Sequence, residues 1–166
     1  LGNVDEAEVY GADLNLSYQP EAIEGLILNA GVGLLSTELG SFEATAGTIP
    51  AGNELPDAPD LSLNLGASYT TNINDRLSLR FAIDSRYQAE TFRDALNDPL
   101  LFTDAYWVTN GRISLFEEGN WDLSIWGKNL AEEEYVTQGI NQLVFGGGFR
   151  IYGPPRTFGV SLAKQF

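Results

Sequence analysis

The chain is 166 residues long, enough for one domain, and contains no Cys, no His and no Met. Without Cys or His it offers no thiol chemistry, no disulfide, no zinc site of the usual kind and no His-based triad or acid–base couple. Nine Lys and Arg against 23 Asp and Glu leave a formal net charge of -14, which argues against nucleic acid, whose phosphates need a basic surface.

Alternation of period two runs through most of the chain, and helical periodicity does not. "AEVYGADLNLSYQP" sets Tyr10, Ala12, Leu14, Leu16 and Tyr18 on one face against Gly11, Asp13, Asn15 and Ser17. "GLILNAGVGLL" follows with Leu26, Leu28, Ala30, Val32 and Leu34 against Asn29, Gly31 and Gly33. "DLSLNLGASYTTN" sets Leu61, Leu63, Leu65, Ala67 and Tyr69 against Ser62, Asn64, Gly66, Ser68 and Thr70. "DRLSLRFAIDSRYQAE" places Leu77, Leu79, Phe81, Ile83 and Tyr87 opposite Arg76, Ser78, Arg80, Asp84, Arg86 and Gln88. "AYWVTNGRISLF" contributes Trp107, Ile113 and Leu115 against Asn110, Arg112 and Ser114. "NWDLSIWGKNL" gives Trp121, Leu123 and Ile125 against Asp122, Ser124 and Lys128, with Trp126 out of pattern on the polar face. The last run, "TFGVSLAKQF", alternates Phe158, Val160, Leu162, Lys164 and Phe166 with small or polar residues.

These seven runs predict an antiparallel up-and-down meander. The connections "QPEAIEG", "TNIND" and "EEGN" are short polar turns, whereas segments 41–59, 93–102 and 131–155 are long. The runs are about ten residues or more, longer than the roughly five or six of an ordinary soluble strand. That length suits a tilted strand crossing a bilayer. No stretch reaches the roughly 18 apolar residues of a membrane helix, but a transmembrane barrel hides from that test. Alternation by itself fits two architectures. In a soluble sandwich the apolar face packs inward; in a membrane barrel it meets lipid and the polar face lines the lumen. Aromatics near the strand ends (Tyr18, Tyr69, Trp107, Trp121, Phe166), mid-strand charges on the polar face and unequal turn lengths favour the barrel.

The last third of the chain carries a resemblance. "WVTNGRISLFEEGNWDLSIWGKNLAEEEYVTQG", followed by "YGPPRTFGVSLAKQF", resembles the C-terminal end of TonB-dependent outer-membrane receptors. The matching features are Asn110 to Ile113, the Trp121 to Leu130 strand, Glu133, Glu134 and Tyr135, and the "PPRTFG" that leads into a final strand ending on Phe. "VYGADLNLSYQP" is similar to a hairpin start of the same family. Ala131 and Glu132, after the Asn-Leu pair, and Lys164, third from the end, depart from the pattern. A Lys near the interface can carry its ammonium into water, so the final strand stands.

The resemblance implies an all-β fold: about seven long strands forming the C-terminal segment of a transmembrane β-barrel of about 22 strands. Residues 1–166 are then a fragment of the barrel domain, in keeping with a start at Leu1 and the lack of Met. The plug domain and the TonB box are absent from this chain. It further implies residence in the outer membrane of a Gram-negative bacterium, with lipid around the barrel and no catalysis. The implied function is TonB-energised uptake of a large scarce ligand, foremost an iron-siderophore, with cobalamin, haem or a glycan as variants. The TonB complex would act through the missing N-terminal parts. The alternation Phe158, Val160, Leu162, Phe166 would serve as the signal read by the barrel-assembly machinery and as the closing strand. No cofactor is implied. The alternatives are a passive porin-type channel and a soluble all-β adhesion or carbohydrate-binding module.

Within that frame, Arg80, Asp84, Arg86 and Arg112 are candidate lumen or plug contacts, with mutual charge pairing as the plainer role. The long segments are candidate extracellular ligand loops, since binding residues concentrate there. They offer Arg93, Asp94, Asn97 and Asp98, then Asn141, Gln142, Phe145, Phe149, Arg150 and Tyr152. The glycines of "FGGGFRIYG" do not make a phosphate loop, because the third Gly of that spacing falls on Ile151 and no helix follows. Asp57 with Asp60, and Glu132 to Glu134, could offer oxygens to Ca²⁺, but without the spacing of a known loop; solvated acidic turns are the simpler reading.

Overall fold

Each of the seven alternating runs forms a strand of one antiparallel sheet. In the computed structural model, which describes residues 6–44, 47–142 and 147–165, the long strands are β1 (Ala7–Tyr18), β2 (Leu26–Leu39), β5 (Leu61–Asn72), β6 (Ser78–Gln88), β9 (Tyr106–Glu117), β10 (Trp121–Lys128) and β13 (Thr157–Lys164). They pair in chain order, β1-β2-β5-β6-β9-β10-β13, which is the expected meander. Leu77 lies just outside β6, in the turn, where its amide donates to Asn74 Oδ1.

The register carries the apolar residues across the sheet in continuous rows. Leu14 pairs with Val32, Val32 with Leu63, Leu63 with Tyr87 and Tyr87 with Trp107. Nearer the short turns, Leu79, Leu115, Leu123 and Leu162 form another such row. On four consecutive strands the apolar stripe spans eight residue steps (26–34, 61–69, 79–87, 107–115), or about 27 Å along the strand at 3.4 Å per residue. At a tilt of about 40° its height is about 21 Å, most of the roughly 25 Å apolar band of an outer-membrane barrel.

Nothing among the described residues covers this face. Leu162 is 73% exposed and Ile125 62%. The two hydroxyls that interrupt the apolar rows, Ser85 and Thr109, are register partners and bond each other at 2.8 Å. The opposite, polar face holds the more enclosed side chains, among them Ser114 and Ser124, the latter 0% exposed.

The three long connections are not bare loops. Each forms a short hairpin at the same end of the sheet: β3 (Phe42–Ala44) with β4 (Gly47–Ile49), β7 (Thr91–Phe92) with β8 (Phe102–Thr103), and β11 (Val136–Gln142) with β12 (Gly147–Tyr152). A one-turn 3-10 helix, Pro99–Leu101, joins β7 to β8 and is capped by the Asp98 carboxylate, which accepts from the Leu100 amide. The sequence reading missed these six strands. They are two to seven residues long, and β4, β11 and β12 contain Gly, so no period is sustained.

The buried apolar side chains of the described residues gather at this end, not under the sheet: Leu39, Ile49, Ala58, Ala89, Leu101, Tyr106 and Val136. The molecule therefore has a bare, two-faced sheet and a small core that fuses the outer hairpins.

Candidate functional site

Two regions hold the candidate functional groups: the polar face and the outer hairpins. On the polar face each of the four candidate charges has a neighbour. Arg80 donates through Nε to Thr70 Oγ1 at 3.1 Å and lies over the Phe116 ring at 4.7 Å. Asp84 accepts from Asn110 Nδ2 at 2.7 Å, and Arg86 reaches Gln88 Oε1 at 3.3 Å. Arg112 lies over two small residues that the register aligns, Ser114 and Ser124. It donates to both hydroxyls and pairs with Asp122 at 3.4 Å. Ser124 completes the cluster by donating to Asp122. Arg80, Asp84, Arg86 and Arg112 thus share one face without forming a single cluster.

Trp126, the residue that breaks the alternation, belongs to this polar face by necessity of register. Its indole Nε1 donates to Ser161 Oγ at 2.9 Å. It lies across Gly159, where a Cβ would come within 2.2 Å of the ring. Only a residue without a side chain can sit beneath it, which is why the final strand reads Phe-Gly-Val.

The corner after β10 is built by residues whose role the sequence did not disclose. Asn129 is buried with a φ of 49°. It donates to the carbonyls of Glu133 and Pro154, and its Oδ1 accepts from the Glu133 amide. Tyr135 stacks on Tyr106, with ring centroids 4.6 Å apart, and lies on Gly153, where a Cβ would come within 2.1 Å of its ring. The Asn-Leu, Glu-Glu-Tyr and Gly-Pro-Pro stretches are therefore parts of one fixed corner. Their order in the sequence was the available signal; their contact needed the fold.

The outer hairpins are stitched together by the residues singled out as ligand candidates. Arg93, with its side chain 9% exposed, binds three segments at once. It pairs with Asp57 from the β4–β5 connection, donates to Thr103 Oγ1 at 3.1 Å, and donates to the Val136 carbonyl at the start of β11. Asn97 accepts from the Glu54 amide at 2.8 Å and donates to the Glu54 carbonyl at 3.1 Å. Asp94 Oδ1 accepts from the Asp98 amide at 2.9 Å. Arg150 donates through two nitrogens to the Leu100 carbonyl, at 2.9 and 2.7 Å.

Phe149 and Tyr152, by contrast, are exposed. Phe145 and Phe166 lie outside the described residues, and for Asn141 and Gln142 only their places in β11 are described. Phe158, Val160 and Leu162 are exposed on the apolar face of β13, an edge strand of the sheet.

One titrating group was not foreseen. Burial pushes the Glu54 carboxyl above its ordinary range, and the nearby carboxylates Asp60 and Glu90 add to the shift. Among the described residues no group of three or more Asp, Glu, His or Cys could hold a metal ion.

The architecture is that of an antiparallel all-β wall, apolar on one face, polar on the other, and crowned by packed hairpins at one end. A family model described as "TonB dependent receptor-like, beta-barrel" matches residues 1–130. The chain belongs to that family. Among solved structures, it is similar to the ferric yersiniabactin uptake receptor FyuA of Yersinia pestis at 15% identity and a TM-score of 0.77, covering 94% of this chain and 23% of that one. It is also similar to the siderophore receptor PiuA of Acinetobacter baumannii at 19% identity and a TM-score of 0.72, covering 98% and 22%. A third likeness is to the ferric-catecholate import receptor Fiu of E. coli K12 in its closed form, at 23% identity and a TM-score of 0.69, covering 96% and 21%. At these identities the likeness is one of fold. The chain spans between a fifth and a quarter of the length of each of these three receptors.

Proposed function

We propose that this chain is the C-terminal stretch of a transmembrane β-barrel of about 22 strands, in the outer membrane of a Gram-negative bacterium. The whole protein is a receptor that takes up a large scarce ligand, an iron-siderophore, driven by TonB. The observation that carries this reading is the bare apolar face, continuous over all seven strands, opposite a face of bonded charges. A soluble adhesion module would need a second layer over that face, since an exposed apolar surface of this size promotes association in water. Lipid supplies the layer without one.

In this reading the short turns are periplasmic and the hairpins extracellular. The polar face lines the lumen, where Arg80, Asp84, Arg86 and Arg112 meet water and the plug. The plug and the segment that engages TonB belong to parts of the protein outside this chain. β13 closes the barrel against the first strand, and the sequence alternation Phe158, Val160, Leu162, Phe166 addresses the chain to the assembly machinery. The outer hairpins contribute part of the ligand-binding rim, with exposed Phe149 and Tyr152 as its apolar contacts.

The test is ⁵⁵Fe-siderophore uptake by intact cells with and without the gene, and with and without TonB. Uptake that requires both supports the reading. Uptake that requires the gene but not TonB favours a passive channel, and uptake indifferent to the gene refutes the iron assignment.

A further inference from the structure

We propose that the ligand this wall admits is a charge-balanced chelate of the hydroxamate kind, not a polyanionic catecholate. The inference rests on the receptor reading above and adds the charge class of its ligand. Its first support is the outer end of the sheet. Segments 40–60, 89–105 and 129–156 hold eleven Asp and Glu against three Arg, a formal charge of -8 on this arc of the mouth. Two of the three arginines are paired with carboxylates, and the third is tied to a carbonyl. Arg93 is enclosed and paired with Asp57, Arg156 is paired with Glu132 at 2.7 Å, and Arg150 commits two of its donors to the Leu100 carbonyl. A like-charged mouth lowers the encounter rate of an anion by the same field that would raise that of a cation.

The second support is independent and lies on the polar face. A groove of about 440 Å³ crosses β1, β2, β5 and β6. Asn15 and Asn64 flank Gly31 in one register row, which ends on Arg86, and Ser17, Asn29, Gly66 and Asp84 make up the next. Glycine opposite amide keeps the floor open: a Cβ on Gly31 would meet Asn15 Oδ1 at 2.8 Å. Asn15, Asn29 and Asn64 are exposed, and their side chains have no hydrogen-bond partner among the described residues. Each offers donors and an acceptor without net charge. Over the whole polar face the charges nearly balance, with Arg80, Arg86, Arg112 and Lys128 against Asp13, Asp84 and Asp122. Such a wall bonds carbonyl, hydroxyl and amide groups without attracting net charge.

Ligand chemistry then separates the candidates. Three singly ionised hydroxamates balance iron(III), and their carbonyl and amide groups suit a carboxamide groove. Three doubly ionised catecholates overbalance it by three negative charges, which this arc of the mouth repels.

The experiment uses the full-length protein as the sole receptor of its kind in a TonB-containing host, with a TonB-lacking control and surface display checked by antibody. The probes are a ⁵⁵Fe trishydroxamate and a ⁵⁵Fe tris-catecholate. The expected result is TonB-dependent uptake of the trishydroxamate at least tenfold faster than of the catecholate, with the ratio shrinking as salt rises. Catecholate uptake equal to or faster than hydroxamate uptake overturns the charge assignment while leaving the receptor reading intact. Silence with both probes from a displayed protein overturns the iron reading and this inference with it. The double variant Glu133→Lys/Glu134→Lys should speed catecholate uptake several-fold and leave the hydroxamate unchanged. An unchanged ratio would show that the mouth charge does not select.

Discussion

Replacing Arg93 with Ala should loosen all three outer hairpins, not only its own. The side chain makes three bonds to three segments: the Asp57 carboxylate, the Thr103 hydroxyl and the Val136 carbonyl. A hydrogen bond from a charged donor contributes about 1.5–3 kcal/mol. The Asp57 partner is 61% exposed, so that pair is discounted to about 1 kcal/mol or less. Loss of the other two bonds, each taken at the low end of that range, brings the total to at least about 3 kcal/mol. That is about a hundredfold in the equilibrium for local opening. The assay is hydrogen exchange of the full-length receptor in detergent. The Asp57 amide, bonded to the Phe92 carbonyl, and the amide at position 93, bonded to the Leu101 carbonyl, report on two of the segments. Both should exchange about a hundredfold faster in Arg93→Ala, and β11 should lose protection with them. Faster exchange confined to β7 and β8, with Asp57 and β11 unchanged, would refute the idea that Arg93 joins the hairpins.

Other expectations concern single positions. Glu54 has a carboxyl whose folded pKa lies above its unfolded value, first through burial and then through Asp60 and Glu90. The folded loop therefore binds the proton more tightly, and its stability falls as pH rises through the window just above the usual carboxylate range. Glu54→Gln should remove that slope, read from hydrogen exchange of the Glu54 segment against pH. Gly159→Val should displace the Trp126 indole and cost about 1–3 kcal/mol as overpacking, seen as a lower melting temperature and a changed Trp emission. Ile125→Lys puts a charge on the apolar face and should cost about 2–4 kcal/mol near the bilayer midplane, seen in urea titrations in lipid vesicles.

Much of the fold was legible because a half-buried strand has a period of two and little else imitates it. Leu61, Leu63, Leu65, Ala67 and Tyr69 needed no partner to declare a face, and the register kept that face intact on β2 and β6. The seven strands, their order and the contrast between short turns and long connections followed from this local signal.

What stayed hidden depends on residues far apart in sequence. Trp126 broke the pattern, and only pairing with Gly159 explains it. Arg93 read as a loop cation open to ligand; its place between Asp57 and Val136 is a matter of tertiary packing. Asn129 and Glu54 carried no periodic signal, although the first stands in the Asn-Leu motif that marked the resemblance. Short hairpins such as Thr91–Phe92 with Phe102–Thr103 have too few residues for any period, and they form because Leu101 and its neighbours bury against β11.

The central claim is that the apolar face meets lipid and the polar face does not. Nitroxide labels placed singly at Leu63, Asn64 and Leu65 of β5, and at Leu14, Asn15 and Leu16 of β1, test it most directly in the full-length protein in lipid bilayers. Oxygen, which concentrates in the hydrocarbon, should relax the labels at 14, 16, 63 and 65 strongly and those at 15 and 64 weakly. Equal relaxation on both faces, or weak relaxation at the leucine positions, would mean that protein or water covers the apolar face and would contradict the account.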